Sequence, residues 1–138
     1  MEPTEVRIGN LILFDHHETR EPANIVQIGR VTGITAQGIE FRGGIVRKLD
    51  RCAGIPLTEE WLKKHGFYES EVHENGKGWR HPDTTTFELF RPNDLGYYKA
   101  VRMDRSSMIC HVISGHISHV HQLQNLYYAL TGTELTFK

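Results

Sequence analysis

HVHQLQNLYYALTGTELTFK, His119 to Lys138, reads as an amphipathic helix, a glycine stop and a short terminal strand. Val120, Leu123, Leu126, Tyr127 and Leu130 recur at the spacing that lines one helical face, so the helix is expected over Val120 to Leu130. His121, Gln122, Gln124 and Asn125 fall largely off that stripe, which assigns them to a polar face turned toward solvent or a partner. Gly132 supplies the positive φ that commonly ends a helix. At about three turns the helix is too short to persist alone in water, so its apolar stripe must pack on the rest of the chain as a brace.

Upstream the pattern turns to β. Phe67 to His73, Thr85 to Arg91, Tyr97 to Met103 and Ser107 to Ile113 have a period close to two. In the third run Tyr97, Lys99, Val101 and Met103 share a face opposite Tyr98, Ala100 and Arg102, which suits a half-exposed antiparallel sheet. Asn75-Gly76, His81-Pro82-Asp83, Pro92-Asn93-Asp94 and Asp104-Arg105-Ser106 read as turns, so these runs should form a meander. Before them a helix is expected over Thr58 to His65. Thr58 is its N-cap, Glu59 and Glu60 sit at the positive end, Lys63, Lys64 and His65 at the negative end, and Gly66 is the stop. Earlier still, Ile8 to Phe14, Ile25 to Ile34, Gly38 to Phe41 and Ile45 to Leu49 are short strands rich in Val and Ile, joined by a polar insert and the turns Ala36-Gln37-Gly38 and Gly43-Gly44. The fold class is therefore α+β: an N-terminal small bent β-sheet or SH3-like barrel, a linking helix, an antiparallel β-meander and the C-terminal amphipathic helix. The chain is read as one domain with two lobes, 1–57 and 58–138.

RIGNLILF at Arg7 to Phe14, IPLTEEWLKKHGF at Ile55 to Phe67 and VHQLQNLYYALTGTELTF in the C-terminal stretch together resemble a family of small proteins of gut Bacteroidota and their phages. No activity is assigned to that family. The resemblance implies a phage or mobile-element setting and an architecture, and it carries over no catalytic residues.

Sixteen Lys and Arg against 17 Asp and Glu leave a formal net charge of −1, so a polyanion-binding surface would have to be local. No apolar run reaches the roughly 20 residues that span a bilayer, and MEPTEVRIGN lacks the basic and apolar regions of a signal peptide. Cys52 and Cys110 stand apart, as free thiols of a reducing compartment do. The expectation is a cytoplasmic protein with no membrane partner.

Four histidines, His111, His116, His119 and His121, lie close in sequence and raise a metal site. His119 and His121 would share a face only on a strand, and the helical pattern points them apart, so hydrogen-bonded or solvent-facing histidines are the better reading. Asp15-His16-His17-Glu18 is a second cluster, read as a solvated loop. Cys110 and His111 are strand neighbours pointing to opposite faces. Glu69 and Glu71 share a strand face, Cys52 has no local partner, and no GxSxG elbow or phosphate-cradling glycine loop is present. No cofactor is expected. Arg42, Arg47, Lys48 and Arg51 crowd one hairpin and could grip phosphates, although a solvated hairpin edge whose charges guard against edge pairing is the better reading. Trp79 and Arg80, in a glycine-rich loop, and Tyr97 and Tyr98 are candidate interface anchors.

From these residues the chain reads as a noncatalytic binding or interaction protein. Its binding candidates are Trp79, Arg80, Tyr97, Tyr98, His121, Gln124 and Asn125, and its expected partner is a protein. The first alternative is a nucleic-acid-binding accessory protein using the basic hairpin; the second is a histidine metalloprotein or small hydrolase using His111, His116 and His119. Exposed aromatics permit a homodimer without requiring one.

Overall fold

The computed structural model describes residues 5–15, 26–73, 75–93, 95–104 and 109–136. The chain divides into two compact units, Met1–Pro56 with His119–Asn125, and Leu57–Ser118 with Leu126–Lys138.

The first unit is an antiparallel sheet of β1 (Leu11–Asp15), β2 (Val26–Thr35), β3 (Gly38–Phe41), β4 (Ile45–Arg47) and β5 (Cys52–Ala53), in the order β4-β3-β2-β1-β5. A 3-10 turn at Leu49–Arg51 carries the chain from β4 at one edge to β5 at the other. Arg47, at the end of β4, donates from Nε to the carbonyl of Asp15, at the end of β1, at 3.2 Å. The sheet must therefore curl strongly. It is the small bent sheet expected, left open because β4 and β5 do not pair.

Glycines permit the curl. Gly38 has φ +142 and lies against the Arg47 carbonyl, and Gly43 and Gly44, with φ of +87 and +77, turn the chain between β3 and β4. A side chain on Gly29 would strike Phe14 and Phe41, whose rings stack with centroids 4.3 Å apart. These rings join Val6, Ile12, Val31, Ile39 and Cys52 in the core.

The second unit starts with α1 (Glu59–Lys64), whose N-cap Thr58 accepts the Trp61 N–H; Leu62 is its buried residue, Leu57 just before the cap is buried as well, and Trp61 is only half-buried. Its sheet runs β6 (Tyr68–His73), β7 (Gly76–Arg80), β8 (Glu88–Pro92), β9 (Lys99–Asp104) and β10 (Ile109–Val112), all antiparallel and in chain order. The meander is as expected but has one strand more. Gly76-Lys77-Gly78, read as part of a loop, belongs to β7, and a side chain at Gly76 would collide with the Arg91 carbonyl of β8.

The C-terminal helix α2 spans Val120–Thr131, with Val120–Asn125 in the first unit and Leu126–Thr131 in the second. Gly132, at φ +73, ends it. Residues 133–136 form no strand, and the rest of the terminal strand expected from the sequence lies outside the described residues. Among the described residues no helix is long and apolar enough to cross a membrane.

Candidate functional site

Within the second unit, His65 is the C-cap of α1 and Gly66, at φ +91, turns the chain into β6. That glycine opens space for a second imidazole, since a Cβ there would lie 3.0 Å from His81 Nε2. His81 Nε2–H donates to the His65 carbonyl at 2.9 Å, supplying a partner to a helix-end carbonyl. His81 Nδ1 accepts the Asp83 N–H at 3.1 Å, which fixes the tautomer and holds the Pro82-Asp83 turn. The ring sits edge-on to Phe67 and Tyr127, with centroids 5.0 and 5.3 Å away. Phe87 completes the aromatic floor. Burial, with a smaller contribution from Asp83, pushes the Tyr127 phenol upward, so it stays protonated at neutral pH.

Over this floor opens a cavity of about 800 Å³. Thr84, Thr85, Thr86, Thr131, Thr133 and Thr136 line it beside His65, His81 and Tyr127. Asp83 and Glu134 are its charged lining residues, and no Lys or Arg lines it among the described residues. A second cavity of about 280 Å³ shares His81, Pro82, Thr84 and Thr85 and adds Tyr68, Arg80, Phe87 and Glu88. The loop after β7 is thus a rib with polar concave surface on both sides. Threonine hydroxyls both donate and accept, and the carboxylates disfavour an anionic ligand. His81 has both nitrogens engaged and is poorly placed to shuttle a proton.

Two sequence candidates border this region. Arg80 pairs with Glu88, Nε to Oε1 at 2.8 Å, and lines the smaller cavity. Trp79 is in β7 and only 1 % exposed, so it is a core residue rather than a loop anchor. Tyr98 is likewise buried and pairs through its backbone with Ile117. Its neighbour Tyr97 is half-buried and stacks on the exposed His116 with centroids 3.7 Å apart and planes at 18°. His111 is exposed on β10.

In the first unit the polar side of α2 does not face solvent. Gln124 and His121 are 1 % and 2 % exposed. Gln124 Oε1 accepts the Leu11 N–H at 2.9 Å, and Asn125 Oδ1 accepts from Asn10 at 2.8 Å and from Arg7 at 3.2 Å. The residues expected to meet a partner instead tie the helix to the chain entering β1. Nor do His119 and His121 point apart: their rings face one another at 5.7 Å, because His119 precedes the helix and its peptide bridges to Pro56. Among the described residues no three His, Cys, Asp or Glu side chains gather as metal ligands.

Two of the four hairpin cations converge on Asp15. Arg51 Nη1 lies 2.9 Å and Arg47 Nε 3.7 Å from its carboxylate, and the Arg47 guanidinium also covers Phe14. Arg42 and Lys48 are exposed. Cys52 is buried, and burial, reinforced by Asp15, pushes its thiol up to about 11. Residues 16–18 of the Asp15-to-Glu18 cluster, and the side chains of Glu71 and Cys110, lie outside the described residues.

The sequence signal for the threonine-lined cavity was Thr84-Thr85-Thr86 after His81-Pro82-Asp83, which by itself reads only as a turn. No family model, no curated protein and no solved structure matches this chain.

Proposed function

We propose that this is a noncatalytic, cytoplasmic binding protein that engages a protein partner through the threonine-lined cavity of its second unit. One observation carries the reading: a polar cavity of about 800 Å³ is lined in part by an imidazole whose two nitrogens are both held by backbone groups. Such a site offers contacts rather than proton transfer. The aromatic floor keeps the walls preorganised, which lowers the entropy cost of binding. Its chemistry suits an uncharged or basic polar segment, with Asp83 at the rim. The buried, free Cys52 agrees with a reducing compartment. The resemblance of the RIGNLILF, IPLTEEWLKKHGF and VHQLQNLYYALTGTELTF stretches to proteins of gut Bacteroidota and their phages implies a mobile-element setting.

Site-specific photocrosslinking in lysate tests the reading. A crosslinker at Thr85, exposed on the cavity wall, should trap a discrete protein that one at Thr32, exposed on β2, does not. Asp83→Lys should reduce that product. Equal labelling from both positions, or none from Thr85 or from Thr133 across the cavity, would overturn the proposal. The nucleic-acid alternative rests chiefly on Arg42 and Lys48, and absence of a gel shift at low salt removes it.

A further inference from the structure

We propose that His121 is an acid-sensitive latch whose protonation releases the first half of α2 from the N-terminal segment of the first unit. His121 is 2 % exposed, and neither Nδ1 nor Nε2 has a hydrogen-bond partner among the described residues. The His119 ring faces it at 5.7 Å. Below both rings runs the backbone of Gly54, where an added Cβ would lie 2.7 Å from His119 Cδ2 and 2.8 Å from His121 Cε1. The pair is wedged in place, with little room for an imidazolium to turn toward water.

The surroundings offer a charge little compensation. His119 supplies a second titratable ring from the bridge residue just before α2, and the segment Ala53 to Pro56 carries no ionisable side chain. From the N-terminal segment, Glu5 is the favourable charge and Arg7 is held on Asn125. Burial, with His119 adding to it and Glu5 opposing it, holds His121 below its ordinary value. The unfolded chain, titrating near about 6.5, therefore binds the proton first. The stability that neutral His121 contributes is complete above that pH and is lost as pH falls from there toward the depressed native value.

The latch reaches a specific set of bonds. Gln124 lies one turn beyond His121 and holds the Leu11 N–H, while Val120, just before it, donates to the Ile55 carbonyl at 2.9 Å. Displacing His121 moves both.

Hydrogen exchange of the full chain at about pH 7.5 and about pH 5.5, corrected for intrinsic rates, reads the release. Protection at Leu11 and Val120 should fall by up to about tenfold on acidification, the ceiling for one imidazole, while the Tyr98 amide of the second unit, bonded to the Ile117 carbonyl at 2.8 Å, keeps its protection. His121→Phe should abolish most of the fall. Unchanged protection, an equal fall at Tyr98, or an equal fall in the variant would each overturn the latch. If the variant does not fold, NMR titration of the native imidazole decides, and a midpoint at or above about 6.5 rejects the proposal.

Discussion

Gln124 reaches from the middle of α2 to accept the backbone N–H of Leu11 at 2.9 Å, at the first residue of β1. Both residues are buried. A contact spanning most of the chain in sequence thus satisfies a sheet donor that no strand partner reaches. Replacing Gln124 by Leu keeps the bulk and strands that N–H, so stability should fall by about 2 kcal/mol in urea unfolding. A loss below about 0.5 kcal/mol would mean the amide finds another acceptor.

Two glycines of the second unit should respond in opposite ways. A Cβ at Gly76 would collide with the Arg91 carbonyl oxygen and lie 2.7 Å from Phe90 Cζ, whereas nothing lies within 4 Å of one at Gly96, whose φ is unexceptional. Because the obstacle at Gly76 is paired backbone, Gly76→Ala must push β7 from β8 and should cost about 2–3 kcal/mol or prevent folding. Gly96→Ala should be neutral or stabilise by up to about 1 kcal/mol through the unfolded state. Thermal melts of the two variants side by side check the contrast.

Cys52 should behave as an inert core thiol. With its pKa moved from 9.0 to about 11, the thiolate fraction at pH 8 falls roughly a hundredfold, before steric exclusion is counted. In a Cys110→Ser background, iodoacetamide at pH 8 should modify native Cys52 at least about a hundredfold more slowly than the denatured chain. Comparable rates would place the thiol at the surface and reopen a nucleophilic role.

The fold was largely legible because its signals are local. Thr58 caps α1 as its position implies, Gly132 ends α2, and the Ala36-Gln37 and Gly43-Gly44 turns set the hairpins of the first sheet. The missed strand β7 shows the limit. Gly76 reads as a turn residue by propensity, but the neighbouring strand leaves no room there for a side chain. The site was less legible because its placement is tertiary. Polar residues off an apolar stripe are assigned to solvent by default, yet Gln124, Asn125 and His121 face the incoming N-terminal segment and Gly54. Trp79 follows the same glycine-rich run, so propensity places it in a loop, yet its position in β7 makes it a core residue.

Gly66 and His81 should prove to be one device. The glycine lets the imidazole approach to a 2.9 Å bond with the His65 carbonyl, and its φ of +91 is one that an alanine adopts only with strain. His81→Phe keeps a ring between Phe67 and Tyr127 but strands the His65 carbonyl and the Asp83 N–H, at a cost of about 2 kcal/mol. Gly66→Ala should cost about 1–2 kcal/mol, part from backbone strain and part from pushing His81 off its acceptor. Once His81 is gone, only the strain remains. The double variant should therefore lose less than the sum of the single variants, by about 0.5–1 kcal/mol in a double-mutant cycle. Strict additivity would show that Gly66 serves the turn alone and that the wall of the cavity does not depend on it.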